Sequence, residues 1–249
     1  MVEALAAAGC VAPEAEADEL RRAEHHGVGS LRGLLARRVE GEPLPWVTGR
    51  VTFCGIEIAV DRGVFVPRPQ TEALARRAVE LLPARGIAVD LCTGSGAIAV
   101  VLGTARPAAR VVATDLDPLA VACARRNGVQ ALRGDLDDPL PDSLVGEVDV
   151  VTAVVPYVPT EELHVLPRDV QRFEPRLALD GGPSGTALLV RAARAAARWL
   201  RPAGAVVLEI GGDQAAAVSA VFGDLGLADV HVHRDGDGRD RAIEARRPA

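Results

Sequence analysis

From Glu72 to the end, the chain alternates segments of helical and strand character, and this alternation restricts its fold more than any other feature. Apolar spacing predicts helices over residues 72–82, 96–104, 118–127, 184–200 and 213–225. Between and after them, short runs rich in Val, Ile and Ala are expected as strands at 87–91, 110–114, 129–132, 148–153, 204–210, 228–233 and 240–245. Strands separated by helices run mostly parallel, because each crossover lays a helix on a face of the sheet. The last two strands fit an antiparallel edge. The expected fold class is therefore α/β, a Rossmann-like, mostly parallel sheet with an antiparallel edge strand.

Ahead of the sheet, Val2–Ala8, Glu14–His25 and Leu31–Val39 have helical patterning, broken near Gly27 and Gly29. Gly41-Glu42-Pro43-Leu44-Pro45 reads as a linker. Val47 to Val60, with turn signals at Gly49 and Gly55, reads as a short hairpin. The expected organisation is a small helical domain over 1–42, a linker with a β-hairpin over 43–71, and a ligand-binding domain over 72–249.

Composition narrows the function. Apolar residues make up 49% of the chain but aromatics only 3%, so the core must be built from Ala, Val and Leu. All 28 basic residues are arginine and the net charge is −6, which argues against broad nucleic-acid binding. No apolar run approaches the roughly 20 residues of a membrane span. No basic stretch followed by an apolar run opens the chain, so cytoplasmic location is the expectation. Cys10, Cys54, Cys92 and Cys123 form no Cys-x-x-Cys pair, and the five histidines show no ligand spacing. No metal site is expected. The oligomeric state is left open: a helical segment rich in Ala and Leu could close over the site or pair with a second copy.

The chemistry concentrates in two loops. The run Val89-Asp90-Leu91-Cys92-Thr93-Gly94-Ser95-Gly96 leaves the first strand of the alternating region and opens a helix. Glycines there let backbone approach a ligand, and open α/β sheets bind ligands beyond the carboxyl ends of their strands. The next strand ends at Asp115-Leu116-Asp117-Pro118, which places an acid where it can accept the ribose hydroxyls of a nucleoside. Asp117 reads as the N-cap of the following helix, with Pro118 at its first position. Gly134-Asp135-Leu136 ends a third strand, and its carboxylate is placed to meet an adenine amino group. A nicotinamide cofactor also fits the glycine turn, with Ala99 at the third position of the looser fingerprint. The second loop, Val154-Val155-Pro156-Tyr157 after the strand at 148–153, favours methyl transfer.

Those residues and four further segments carry a family resemblance. Gly49-Arg50-Val51-Thr52-Phe53-Cys54-Gly55, Val64-Phe65-Val66-Pro67-Arg68-Pro69-Gln70-Thr71-Glu72, Phe173-Glu174-Pro175-Arg176-Leu177-Ala178-Leu179 and Asp237-Gly238-Arg239-Asp240-Arg241 resemble, in order and spacing, motifs of the HemK/PrmC protein-glutamine N-methyltransferases. These class I enzymes use S-adenosylmethionine (SAM). The resemblance implies that Phe65, Pro67 and Arg68 line the cofactor pocket, with Asp90 and Thr93 in the glycine turn. It implies Gly94 and Gly96 at the methionine part, Asp115 and Leu116 at the ribose, and Asp135 with Leu136 at the adenine. Pro156 and Tyr157 would wall the acceptor site.

The chain also departs from that family. Its Asn-Pro-Pro-Tyr motif becomes Val-Val-Pro-Tyr, so Val154 stands at the catalytic asparagine and at the edge of the cofactor site, and Val155 at the first proline. The asparagine oxygen accepts a hydrogen bond from the acceptor's NH2 and orients its lone pair; a valine side chain accepts none. Gln70 also replaces a glutamate. Three readings follow. The favoured expectation is an N-methyltransferase with a changed, small acceptor bearing a planar guanidino group, such as free L-arginine. Glu161, Glu162 and Glu174 would then supply the carboxylates that activate the nitrogen. In the second reading, a protein glutamine of a release factor is methylated with backbone carbonyls as the only acceptors. In the third, the chain binds SAM or a partner without turnover.

Overall fold

The computed structural model describes residues 1–249. Four helices come first: α1 (Val2–Ala7), α2 (Pro13–His25), α3 (Leu31–Val39) and α4 (Leu44–Thr48). Leu5, Ala17, Leu20, Ala23, Leu34 and Val47 form their common core. A helix over Leu44–Thr48 thus stands where a linker ending at Pro45 and a hairpin starting at Val47 are expected, because Pro43 and Pro45 fit a first helical turn and burying Trp46 and Val47 rewards the helix. A hairpin of β1 (Arg50–Phe53) and β2 (Ile56–Ala59) follows, with Arg50 paired to Ala59 and Phe53 to Ile56.

The alternating region supplies α5 (Thr71–Leu81), β3 (Ile87–Leu91), α6 (Ala97–Ala105), β4 (Arg110–Asp115), α7 (Pro118–Arg126), β5 (Gln130–Arg133) and β6 (Val148–Ala153). After β6 (Val148–Ala153) comes a stretch of short elements. It holds a 3-10 turn at Thr160–Val165, the short helix α8 (Arg168–Phe173) and a second 3-10 turn at Arg176–Ala178. Then come α9 (Ala187–Trp199), β7 (Leu200–Glu209), α10 (Gln214–Asp224), β8 (Ala228–Arg234) and β9 (Asp240–Arg246).

The seven strands lie in the order β5-β4-β3-β6-β7-β9-β8. The pairs β3–β4, β3–β6, β4–β5 and β6–β7 are parallel, while β9 runs antiparallel to both β7 and β8. The antiparallel strand therefore sits one in from the edge, and the edge strand β8 runs with the rest. Inserting β9 between β7 and β8 lets a short turn join the last two strands while β8 still shields an apolar neighbour.

Helices α5, α6 and α7 cover one face and α9 and α10 the other, each through an apolar stripe. In α9, Leu189, Ala192, Ala193, Ala196 and Trp199 are buried at helical spacing, whereas Arg191, Arg194 and Arg198 point outward. All of β6 is buried, Asp149 included. Its carboxylate accepts from Ile87 N at 2.8 Å and Arg201 Nε at 2.6 Å, which accounts for an acid inside an apolar strand. The carboxyl ends of β3, β4 and β6 meet at one rim of this sheet.

Candidate active site

At that rim opens a cavity of about 450 Å³, within the range of small-molecule sites. The turn after β3 forms its floor. Cys92, Gly94 and Gly96 all adopt positive φ, at 54°, 57° and 84°. Gly96 needs its missing side chain, since a Cβ there would stand 2.9 Å from Val129 and 3.1 Å from Ala124 of α7. A Cβ on Gly94 would meet nothing within 4 Å, so its backbone is open to a ligand. The turn is held from below by Asp90, whose carboxylate accepts from Thr93 Oγ1 at 2.5 Å and Thr152 Oγ1 at 2.7 Å. Asp90 is 1% exposed, and burial pushes its pKa up to about 6 against the pull of those hydroxyls.

Asp115, at the end of β4, lines the cavity. Its two oxygens accept from Gly94 N at 2.8 Å and Asp117 N at 2.9 Å, which fixes the carboxylate beside the glycine turn. Burial raises its pKa while these N–H groups work against the rise. Asp117 accepts from Leu119 N at 2.8 Å and caps α7. At the far end, Asp135 and Leu136 line the cavity, with Leu136 at φ 49°. One Asp135 oxygen pairs with Arg191 at 3.0 Å, a partner that sequence reading did not supply.

Phe65, Pro67 and Arg68 form a strap along one side, the Arg68 guanidinium lying 4.7 Å from the Phe65 ring centroid. These features suit SAM: a carboxylate beside an open glycine backbone for a ribose, an acid for an amino group, and apolar walls. Ser95, also in the lining, keeps a buried hydroxyl without a hydrogen-bond partner.

Val154, Val155, Pro156 and Tyr157 all stand in the cavity wall. Val154 is half-buried, packs on the α5–α6 side of the core, and brings no polar atom. The main-chain carbonyls of Val154, Val155 and Pro156 accept no hydrogen bond from the chain. Tyr157 is fixed by residues that sequence reading missed. Its hydroxyl donates to Glu209 Oε1 at 2.9 Å, and Gln214 Nε2 donates to its carbonyl at 2.8 Å. Burial, then the Glu209 carboxylate, push the Tyr157 hydroxyl well above the usual phenol range. A strand ending in Leu208-Glu209-Ile210-Gly211-Gly212 was the available signal, an acid and two glycines at a carboxyl end.

The expected activating carboxylates are corrected by their positions. Glu161 and Glu162 are exposed in the 3-10 turn, which starts after Pro159 and points their long polar side chains to solvent, and neither lines the cavity. Glu174 is buried outside the cavity lining, held by Arg68 Nη2 at 2.6 Å and by Val66 N at 3.4 Å. It is spent on the strap and not on an acceptor. The free-guanidino reading thereby loses the groups that recommended it.

Comparison with known proteins gives the family. Residues 72–233 match the FtsJ-like methyltransferase family model. The release factor glutamine methyltransferase of Geobacter sulfurreducens is 36% identical over 225 residues, covering 88% of this chain and 78% of that protein. That of Streptomyces coelicolor is 37% identical, covering 98% of this chain and 94% of the relative. Among solved structures, the E. cuniculi Mtq2–Trm112 complex, responsible for methylation of the eRF1 translation termination factor, shares the fold with a TM-score of 0.54. It is 22% identical, over 75% of this chain and 99% of that one. No helix of the chain is long and apolar enough to cross a membrane. The chain belongs to the release factor glutamine methyltransferase family and is a SAM-dependent methyltransferase.

Proposed function

We propose that the enzyme methylates the side-chain amide of a glutamine in a protein acceptor, a peptide release factor, and that the Val154–Pro156 turn replaces the missing asparagine with main-chain carbonyls. The observation that carries this reading is the identity to release factor glutamine methyltransferases, which runs through both the helical N-terminus and the sheet. The free carbonyls of Val154, Val155 and Pro156 beside Tyr157 support it from the geometry.

When bound, SAM supplies an electrophilic methyl group on a sulfonium. Asp115 would hold its ribose, Asp135 and Leu136 its adenine, and Gly94 its methionine end, with the Phe65–Arg68 strap alongside. An amide nitrogen is a poor nucleophile because its lone pair is delocalised into the carbonyl. Orientation therefore carries much of the rate. A main-chain carbonyl accepts a hydrogen bond from NH2 as an asparagine oxygen would, and it is held more rigidly. Tyr157 and Pro156 give a flat slot that matches a planar amide. The apolar Val154 face makes water a weaker competitor for the nitrogen.

The test is to incubate the purified protein with methyl-labelled SAM and, separately, a glutamine-bearing release factor, free glutamine and free arginine. Label on one release-factor glutamine, located by peptide mass spectrometry, is the expected result. Label on free arginine alone, or on nothing while SAM still binds, overturns the reading.

A further inference from the structure

Tyr157 is the chain's one tyrosine, and it is gripped at both ends from the junction of β7 and α10. Its hydroxyl donates to Glu209 Oε1 at 2.9 Å, while Glu209 Oε2 accepts from Thr71 Oγ1 at 2.5 Å. Its carbonyl accepts from Gln214 Nε2 at 2.8 Å, and Gln214 Oε1 accepts from Gly211 N at 3.0 Å. Glycines close the remaining sides. A Cβ on Gly211 would stand 2.9 Å from the ring edge, and one on Gly185 would stand 2.2 Å from the Tyr157 carbonyl oxygen.

Glu209 is 3% exposed, and its oxygens are met by two hydroxyls with no hydrogen-bonded arginine. A buried carboxylate so satisfied is costly, and an apolar residue of similar volume would pack there more cheaply. Neither Glu209 nor Gln214 lines the cavity, so neither touches a ligand in it. What both do is set the depth and plane of Tyr157, and through one peptide the carbonyl turn at Val154–Pro156.

We propose that Glu209 and Gln214 are positioning residues for methyl transfer, a two-point clamp that holds Tyr157 and the adjoining carbonyls in register with the acceptor nitrogen. This rests on the reading that Tyr157 walls the acceptor site. Loss of such register by about 1 Å costs on the order of 100-fold in rate.

One experiment needs no acceptor. Protein labelled with 13C at tyrosine Cζ has a single tyrosine signal, from Tyr157. Glu209→Gln, which keeps the shape, is expected to shift that signal and lower the ionisation midpoint of the phenol. Thr71→Val reads the same carboxylate if Glu209→Gln does not fold. Kinetics with SAM and release factor form the second arm. Glu209→Gln and Gln214→Ala should each lower kcat at least about tenfold, with SAM affinity within about twofold of the parent. In a Tyr157→Phe background, Glu209→Gln should cost nothing further. An unmoved tyrosine signal, kcat within about twofold of the parent, or additive losses in the double variant would each overturn the clamp. If the parent methylates no release factor, the acceptor reading fails, and an unmoved tyrosine signal separately overturns the clamp.

Discussion

Arg68 and Glu174, 106 residues apart, meet at 2.6 Å and tie the strap beside the cofactor cavity to the segment that follows α8. The end of α8, just before Glu174, leans on the N-terminal helices: Phe173 sits edge-on to Trp46 at 6.5 Å, and Arg172 donates to the Glu40 carbonyl at 3.0 Å. The Glu174 carboxylate thus ties the strap to a segment that is itself packed on the N-terminal helices.

Removing the cation should therefore cost more than neutralising the acid. The Glu174 side chain is 1% exposed and Arg68 25%. Arg68→Met leaves a buried charge unpaired and is expected to destabilise by about 2–4 kcal/mol, whereas Glu174→Gln keeps an acceptor for Val66 N and costs about 1 kcal/mol. Urea unfolding measures both. Equal losses would mean that the ion pair is not what makes the strap stable.

Val154→Asn restores a side-chain acceptor beside the free carbonyl turn. If the glutamine reading holds, kcat for a release-factor glutamine should rise about tenfold, the worth of one added hydrogen bond of roughly 1–1.5 kcal/mol. Part of the gain is offset because Val154 packs on apolar neighbours. Steady-state kinetics at saturating SAM reads it, and a fall in kcat would show the turn to be adapted to valine.

Asp115→Ala removes the carboxylate that holds Gly94 N and Asp117 N and faces the cavity. SAM affinity, measured by titration calorimetry, should weaken by at least about tenfold, the cost of one or two charge-assisted hydrogen bonds. Asp117→Ala adds a stability readout: it removes the α7 cap and should cost about 1 kcal/mol.

Asp90 gives a pH signature. Its pKa is about 6 in the folded chain against an ordinary 3.8. The folded state therefore holds a proton that the unfolded state has released between those values. Stability contributed by this group is full below about pH 4, falls as pH climbs through 6, and is gone above it. Asp90→Asn should flatten that decline and narrow the stability gap between pH 4 and 8 by roughly 2–3 kcal/mol. Denaturant titrations at the two pH values measure it, and parallel profiles for parent and variant would rule Asp90 out as the titrating group.

Much of the site's frame was readable before the fold was known. The turn at Gly94–Gly96, the acid ending β4 and the cap at Asp117 each lie within a few residues of the element they serve, and turn chemistry is local. The helix at Leu44–Thr48 is not legible locally, because Gly41, Pro43 and Pro45 look like a linker unless the burial of Trp46 and Val47 is known. Glu161 and Glu162 were placed near the acceptor because they follow its loop directly; a 3-10 turn carried them to the surface.

By itself the sequence determined the fold class, the position of each core strand and the methyl-transfer family, since hydrophobic period and motif order are properties of neighbouring residues. Only the tertiary structure decided which acid does what. Glu174 went to Arg68, 106 residues away, and Glu209 to Thr71 and Tyr157, 138 and 52 residues away. Those meetings depend on strand order and on which side of the sheet each crossover helix packs. A buried carboxylate takes whichever donors that arrangement brings within reach, because leaving it unpaired costs several kcal/mol.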